Sequence, residues 1–386
     1  MIRLGTIFSG IGAVEQALIR LNIPYEIIFA CDNGDIDIDI DIEEERAKVF
    51  SLKTSVEKKN YVELLYSQKS RKQNYVKQSY LANYKIKEEA FYNDVRLLDG
   101  SDYKNKLDLL VGGSPCQSFS SVGFQGGLDD VRGTLFYEYA RIVQETQPKV
   151  FIYENVRGLI THDNGNTWKK IKKIFTETLH YKITEPQVLN SADYGIPQNR
   201  RRLFVIGMRQ DLKFEDFVYP QPLGVENLPF YVQDILEDNC RYDEKQLNYN
   251  FDTATGKMII KKVKGVVDEK YTLTPKVRDY CLKSGTKNFR TSTQTDLPIA
   301  RTLLRTMTQH HRAGVDNYIT VRETNNEKII RQLTERECLR LMGYPDSFKI
   351  VVSTTQMLKQ AGNSIVVDVM MAILEEIFNT KVFEEN

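Results

Sequence analysis

The strongest chemical signal in the sequence is a cysteine that follows an apolar run. Cys116 lies in GGSPCQSFS at residues 112–120, directly after the run LDLLV at residues 107–111. The run predicts a buried strand, and the carboxyl end of a strand is where α/β proteins place site residues. Most free cysteines are buried and structural, but the surrounding Gly, Ser and Pro favour a loop. We therefore expect a nucleophilic thiol, activated by a lowered pKa or by a base that takes its proton.

One carboxyl group and two guanidinium groups could work with this thiol. Glu154 ends the apolar run KVFIYE at residues 149–154, which predicts a neighbouring strand. In a desolvated pocket the pKa of such a carboxyl rises, so it can act as a proton donor; the alternative role is a helix cap. Arg200 and Arg202 offer paired donors to planar acceptors. Their alternative role is a basic surface cluster that binds phosphate.

A second set of residues indicates a ligand crevice. Phe8, Gly10 and Gly12 form a turn between the first apolar run and a helical pattern, where backbone can approach a ligand closely. Asp32 follows the second run, at the position where doubly wound folds bind a ribose hydroxyl. The alternatives are a simple tight turn and a loop aspartate, and nucleotide-binding folds use similar turns.

The elements that position these residues alternate between strands and helices. Five apolar runs predict strands at residues 4–8, 25–31, 107–111, 149–154 and 201–208. Helical spacing of apolar residues follows at residues 13–21 and 135–146. This alternation predicts an α/β fold with a buried parallel sheet. The apolar tail SIVVDVMMAILEEIF predicts a helix that returns to pack on the first domain.

At this point the sequence resembles the DNA (cytosine-5)-methyltransferases of bacterial restriction-modification systems. Five motifs occur in the family's order: Phe-x-Gly-x-Gly at residues 8–12, Pro-Cys-Gln at 115–117, Glu-Asn-Val at 154–156, Gln-Asn-Arg-Arg-Arg at 198–202 and Gly-Asn-Ser at 362–364. The flanking stretches DDVRGTLFYEYARIV, DYGIPQNR and RECLRLMGYPDSF also resemble family sequence. The resemblance covers the chain except residues 34–90 and the middle of 210–295, and several independent motifs in one order make coincidence implausible.

The resemblance implies a mechanism and a cofactor. Cys116 would add to carbon 6 of a flipped cytosine, Glu154 would hold and protonate N3, Arg202 would hold O2 and Arg200 would organise the site. Carbon 5 would then accept the methyl group of S-adenosylmethionine, leaving S-adenosylhomocysteine; no metal is expected. The implied cofactor contacts are Phe8, Gly10, Gly12, Asp32, Asp94, Pro115, Leu135 and Asn363. The family usually has Glu followed by an aromatic residue where this chain has Asp32 and Asn33.

The expected partner is double-stranded DNA. Residues 117–133 hold four glycines and would close over the duplex, while residues 241–312 carry 15 Lys and Arg against 7 Asp and Glu. The residues expected to contact DNA are Gln117, Ser120, Arg132, Arg278, Arg290 and Arg305. A cognate restriction endonuclease, acting separately, is a possible functional partner. The alternatives are a tRNA cytosine-5 methyltransferase and an inactive DNA-binding regulator.

The predicted architecture is a Rossmann-like S-adenosylmethionine-dependent methyltransferase sheet with a smaller target-recognition domain. Residues 1–210 and 331–386 would form the catalytic domain, and residues 211–330 the target-recognition domain. Residues 34–90 form a variable insertion, and for its DIDIDIDIEEE run we favour a solvated loop or helix cap over a half-exposed strand. We assign the insertion no catalytic role.

Composition excludes several other classes of protein. No apolar run approaches the length that spans a bilayer, so we expect neither a membrane helix nor a secretory signal. The five cysteines are scattered and odd in number, which argues against a disulfide framework. They form no CxxC pair and have no ligand spacing with the four histidines, so a zinc site is not expected. These observations predict a reducing compartment, the cytoplasm. The family resemblance implies a bacterial cell, and we expect a monomer.

Overall fold

The computed structural model describes residues 1–114, 134–237, 247–261, 267–283, 294–307, 311–312, 314–324 and 327–384, together with the backbone of 285–286 and 289–290. Its first strands and helices are β1 (Ile2–Ile7), α1 (Ala13–Arg20), β2 (Tyr25–Cys31), α2 (Ile42–Ser51), α3 (Ser55–Lys69), α4 (Tyr75–Asn83), β3 (Phe91–Tyr92), β4 (Leu109–Gly112), α5 (Leu135–Thr146), β5 (Val150–Asn155), α6 (Asn166–Lys173), β6 (Tyr181–Ile183), β7 (Gln187–Asn190), β8 (Gln198–Asn199) and β9 (Arg201–Arg209). All five predicted strands are present.

The second half of the chain carries shorter elements before it returns to long helices. These are β10 (Tyr249–Phe251), β11 (Met258–Ile260), α7 (Pro275–Leu282), β12 (Gly285–Thr286), β13 (Phe289–Arg290), β14 (Ala300–Arg301), β15 (Tyr318–Glu323), β16 (Lys328–Gln332), α8 (Glu335–Arg340), α9 (Thr354–Asn363) and α10 (Val367–Asn379). In the described part of the chain, no helix is both long and apolar enough to cross a bilayer.

One eight-stranded sheet organises the larger part of the molecule. Its order is β3-β2-β1-β4-β5-β9-β6, and β7 pairs with β9 as well. The strands from β3 to β5 are parallel, whereas β9 runs antiparallel to β5, β6 and β7. The carboxyl ends of β1, β2, β3, β4 and β5 therefore lie along one edge, which is where the predicted site residues fall.

Both faces of this sheet are buried, because alternate residues of each strand point to opposite sides. On β5, Ile152 packs into the cluster that contains α1, α9 and α10, while Phe151 and Tyr153 pack into the cluster that contains α5 and α6. Burial of each such side chain stabilises the fold by roughly 1.5–3 kcal/mol. Apolar runs without alternation are the expected sequence of such strands.

The C-terminal helix returns to the first domain, as its apolar pattern predicts. Residues of α10 pack in the same core cluster as α1. The buried guanidinium of Arg20, at the end of α1, donates to both carboxylate oxygens of Asp368 on α10 at 2.8 Å and to the carbonyl oxygens of Gly256 and Gly343. The first and last parts of the chain therefore share one core.

A separate small core lies in the later part of the chain. Leu273, Cys281, Tyr318 and Ile330 form it, and it includes residues of α7, β15 and β16. Before this core, Phe230, Val232 and Tyr249 pack into the larger cluster of the first sheet. The division of the chain into a catalytic domain and a target-recognition domain remains a prediction.

The structure corrects the expectation for the insertion. Ile36 and Ile38 of the acidic run are buried, and they pack with residues of α2 and α3. Asp41 does cap α2, because its carboxylate accepts from the backbone N–H of Glu44 at 3.0 Å. The run is therefore a loop that caps α2, as expected, but it is not simply solvated, because Ile36 and Ile38 pack against α2 and α3.

Candidate active site

Glu154 is the second-last residue of β5 and lies near the carboxyl edge of the sheet. Its neighbour is β4, paired in parallel so that Gly112 lies opposite Tyr153. A Cβ atom on Gly113 would lie 2.3 Å from Oε2 of Glu154, so the carboxyl group occupies space that only a glycine leaves open. The Glu154 side chain is 15% exposed. The result is a mostly buried carboxyl group beside the loop that leads to Cys116.

Arg202 pairs with this carboxyl group. It lies on β9, antiparallel to β5, and its Nε atom is 3.1 Å from Oε1 of Glu154. Burial raises the pKa of Glu154 above its ordinary range, and the charges of Arg202 and Arg200 offset part of that rise. The arrangement thus combines a carboxyl group that holds its proton more strongly with a guanidinium that offers further donors.

Asn155 ties the end of β5 to the end of β4. Its Nδ2 donates to the carbonyl oxygen of Ser114 and to the hydroxyl of Tyr153, both at 2.8 Å. The hydroxyls of Ser114 and Tyr153 also lie 2.9 Å apart. This network fixes Ser114, the last described residue before Cys116. The sequence interpretation missed this role of Asn155, although its place beside Glu154 was the available signal.

Five residues with predicted roles in catalysis, cofactor binding or DNA binding lie outside the described part of the chain. Pro115, Cys116, Gln117, Ser120 and Arg132 all lie in residues 115–133, outside the described residues. Their assigned roles remain predictions. The described cysteines are buried: Cys31, Cys281 and Cys338 are free thiols.

Arg200 organises the backbone around the site. Its guanidinium is buried and donates to the carbonyl oxygens of Leu303, Gly362 and Ser364 at 2.9, 3.0 and 2.7 Å. Burial, with the nearby charge of Arg202, lowers the pKa of Arg200 to about 9, although Glu154 opposes this shift. These contacts show a positioning group that holds the Gly-Asn-Ser segment.

The turn after β1 has the shape of a ligand cradle. Phe8, Gly10 and Gly12 all have positive φ values, 54°, 54° and 77°. A Cβ atom on Gly10 would meet nothing within 4 Å, so its backbone faces open space. Gly12 caps α1, and the free N–H groups of that helix start nearby. This geometry fits close approach by a ligand.

The two predicted acidic contacts lie on neighbouring strand ends. Asp32 accepts from the backbone N–H of Gly10 at 2.9 Å and of Gly34 at 2.8 Å. Burial raises its pKa, and these two donors offset part of the rise. Asp94 is buried and accepts from Tyr66 Oη at 2.8 Å and Arg96 Nη2 at 2.7 Å. A ligand amino group at Asp94 would share an oxygen with these donors.

The remaining predicted contacts are more dispersed. Leu135 is half-buried at the start of α5, and Asn363 is exposed at the end of α9, next to the carbonyl of Gly362 that Arg200 binds. Arg278 pairs with Glu327 at 2.6 Å and Asp279 at 3.0 Å. Arg305 is exposed and lies 3.7 Å from Asp35, while only the backbone of Arg290 is described. These three arginines stay predictions as DNA contacts.

The fold and these residues define a Rossmann-like methyltransferase, and the comparisons with known proteins identify its family. The sequence profile of the C-5 cytosine-specific DNA methylase family matches residues 49–379. The chain therefore belongs to this family.

Individual relatives agree with the profile. The chain is 36% identical over 271 residues to the type II methyltransferase M.HhaI of Haemophilus parahaemolyticus, covering 70% of this chain and 75% of the relative. It is 33% identical over 307 residues to the type II methyltransferase M.HpaII of Haemophilus parainfluenzae, covering 75% and 78%.

Solved structures support the fold alone. The Dnmt2 methyltransferase of S. pombe superposes with a TM-score of 0.61 at 16% identity, covering 97% of each chain. A putative DNA modification methyltransferase encoded within an E. coli prophage gives 0.56 at 22% identity, covering 99% of each chain.

Proposed function

We propose that this protein transfers a methyl group from S-adenosylmethionine to carbon 5 of cytosine in duplex DNA. The observation that carries the proposal is the ion pair between Glu154 and Arg202, whose carboxyl group packs against Gly113. The next residue of β5, Asn155, holds the carbonyl of Ser114, two residues before Cys116. This pair supplies a proton-holding carboxyl and a planar donor on the two strands beside the nucleophile's loop. Family membership supports the same chemistry.

Three residues of the chain would each act on a different atom of a flipped cytosine. The Cys116 thiolate adds to carbon 6, while Glu154 gives its proton to N3 and Arg202 donates to O2, so the ring's electrons move to carbon 5. The bound cofactor supplies an electrophilic methyl group. After carbon 5 takes the methyl, a base removes the carbon 5 proton, and the electrons of that C–H bond re-form the carbon 5–carbon 6 double bond as Cys116 leaves as a thiolate. N3 then returns its proton to Glu154.

The groups that line the crevice fit S-adenosylmethionine as its cofactor. The open backbone at Gly10 accommodates close approach, and the carboxylates of Asp32 and Asp94 are acceptors for hydroxyl and amino groups. Phe8, Gly12, Pro115, Leu135 and Asn363 would complete the contacts with S-adenosylmethionine.

The biological setting that we propose is protection of DNA from a cognate restriction endonuclease that acts separately. The protein would work as a monomer on DNA in the cytoplasm. Residues 211–330 would read the sequence, with Arg278, Arg290 and Arg305 as contacts to the duplex. A tRNA cytosine-5 methyltransferase is the alternative that a substrate assay separates.

The test is transfer of tritiated methyl groups from S-adenosylmethionine to duplex DNA and to tRNA in parallel. We expect label in mixed-sequence duplex DNA, and bisulfite sequencing of plasmid from expressing cells should show methylated cytosines at one recurring sequence. Label in tRNA alone would overturn the proposal, and so would label in neither substrate.

A further inference from the structure

The helices of the insertion reach the cofactor crevice. We define the helical clamp as residues 55–84, which comprise α3, α4 and the residues that join and follow them. Three of its side chains each bond to the loop after a different strand of the sheet: Tyr84 after β1, Asn74 after β2 and Tyr66 after β3. These are the three loops that carry Gly12, Asp32 and Asp94.

Tyr66 holds the carboxylate of Asp94. Its hydroxyl donates to Oδ2 of Asp94 at 2.8 Å, and both side chains are nearly closed to solvent, at 7% and 4% exposure. Arg96 also holds Asp94: its backbone N–H and its Nε donate to Oδ1 at 2.9 and 3.0 Å, and its Nη2 donates to Oδ2 at 2.7 Å, from a side chain that is 26% exposed. Tyr66 is therefore the more buried of the two side chains that fix how Asp94 faces the crevice.

Asn74 holds the loops after β2 and β3 together. Its Nδ2 donates to the carbonyl oxygen of Asp32 at 2.7 Å and to Oδ1 of Asn93 at 3.1 Å. Its Oδ1 caps α4 by accepting from the N–H of Lys77 at 2.9 Å. A Cβ atom on Gly34 would lie 2.3 Å from Oδ1 of Asn74, so this loop packs directly on the amide.

Tyr84 holds the loop after β1. Its hydroxyl donates to the carbonyl oxygens of Gly12 at 2.7 Å and Ile11 at 3.0 Å. A Cβ atom on Gly12 would lie 2.2 Å from the Tyr84 ring, so the ring supports the cradle from beneath. Tyr84 itself is buried.

We infer that the helical clamp sets the affinity of the crevice for the adenosine half of its cofactor, with Tyr66 and Asn74 as positioning residues. This inference rests on the proposed function. A crevice formed only by loops would lose conformational entropy when a ligand orders it, and the clamp removes part of that cost before binding. The residues act through Asp32 and Asp94 and need not touch the ligand.

The test compares single variants that each remove one contact. Tyr66→Phe keeps the ring in its apolar cluster and removes the hydroxyl. Asn74→Ser keeps a helix-capping hydroxyl but loses the amide that spans Asp32 and Asn93. The matched control is Tyr61→Phe on the same helix, whose hydroxyl bonds to Glu45 at 2.7 Å, away from the crevice residues.

Calorimetry with S-adenosylhomocysteine and with 5′-methylthioadenosine, which lacks the amino-acid half, measures the effect. We expect Kd to rise by about 3- to 10-fold in Tyr66→Phe and in Asn74→Ser, the loss typical of one hydrogen bond. The rise should be equal for the two ligands, and Tyr61→Phe should bind like the wild type. In methyl transfer, KM for S-adenosylmethionine should rise while kcat stays unchanged.

Two outcomes separate this inference from the proposed function. If the wild type binds both ligands and the two variants bind them equally well, the clamp has no positioning role even where Tm falls. If the wild type binds neither ligand, the proposed function is wrong and the inference is wrong with it.

Discussion

Glu154 is mostly buried, and the guanidinium of Arg202 lies beside its carboxyl group. Burial acts to keep its proton, whereas Arg202 at 3.1 Å favours the charged form, and the net pKa is raised. A proton donor to a ring nitrogen needs this balance, because a fully ionised carboxylate has no proton to give. The same residue must also give up this proton to the ring nitrogen, and Arg202 then stabilises the carboxylate that remains.

Replacement of Glu154 tests the residue's titration. In the wild type, kcat should fall as pH rises through the raised pKa of Glu154, since the protonated form is the donor. Glu154→Gln should lower kcat by about 10²- to 10⁴-fold and should remove that limb of the pH profile. A pH-rate profile at saturating DNA and S-adenosylmethionine measures both effects, and an unchanged limb in the variant would exclude Glu154 as its source.

The free energy of unfolding should also depend on the protonation of Glu154. Because the folded-state pKa is raised above the ordinary value of 4.5, the protonated carboxyl favours folding at low pH. That contribution is fully present below the unfolded pKa and is lost as pH rises through the folded pKa. The free energy of unfolding of Glu154→Gln should therefore lack this loss, which urea titrations across the pH range detect.

At the scale of elements, the site depends on how closely the loop after β4 approaches β5. Gly113 leaves room for the carboxyl of Glu154, and Asn155 holds the carbonyl of Ser114. Both contacts come from parallel pairing of β4 with β5. The elements therefore fix the carboxyl and the start of the nucleophile's loop relative to each other.

Gly113→Ala should separate activity from stability. The added methyl group would lie 2.3 Å from Oε2 of Glu154, which is the end of a flexible side chain, so the carboxyl should move while the fold persists. We expect kcat to fall at least about 10-fold, since small displacements of a catalytic group are costly, with little change in Tm. Gly158→Ala is the control, because its Cβ would meet nothing within 4 Å. Equal kcat in both variants would contradict this reading.

The strands could be predicted from sequence, but the clamp could not. Strands buried on both faces read as unbroken apolar runs, which are distinctive. In α3, Lys58 and Lys59 are buried at positions where a helix pattern calls for apolar residues. Lys58 is accommodated because it pairs with Asp99 at 2.7 Å and Asp102 at 2.8 Å. Such pairing partners, about 40 residues away, leave no local signal.

In the candidate site, too, some positions could be predicted from the sequence and others could not. The positions of Glu154 and Asp32 could be predicted because each lies at the end of an apolar run, and strand ends gather at one edge of a parallel sheet; their roles stay predictions. Tyr66 and Asn74 could not be predicted, since their roles depend on contacts with Asp94 and Asp32 across intervening elements. Arg200 was expected to organise the site, and its carbonyl partners emerge only in the fold.

At the scale of the whole molecule, distant parts of the chain meet behind the site. Gln198 donates to the carbonyl of Leu341 at 2.7 Å and accepts from the N–H of Leu303 at 3.0 Å. A Cβ atom on Gly362 would lie 2.5 Å from the carbonyl carbon of Leu304, so that backbone approach requires glycine. These contacts join the segment that holds Leu303 and Leu304 to β8 and α9, and so connect the proposed DNA-reading region to the elements that carry Gln198 and Gly362.

The central claim is a transient covalent bond between Cys116 and carbon 6 of a flipped cytosine, and DNA containing 5-fluorocytosine tests it most directly. Fluorine cannot leave carbon 5 as a proton does, so the adduct should persist after methyl transfer. With S-adenosylmethionine present, the account predicts a protein–DNA band that survives denaturing electrophoresis, and predicts that Cys116→Ser abolishes it. Absence of the band in a wild-type protein that methylates ordinary DNA, or its persistence in Cys116→Ser, would contradict the account.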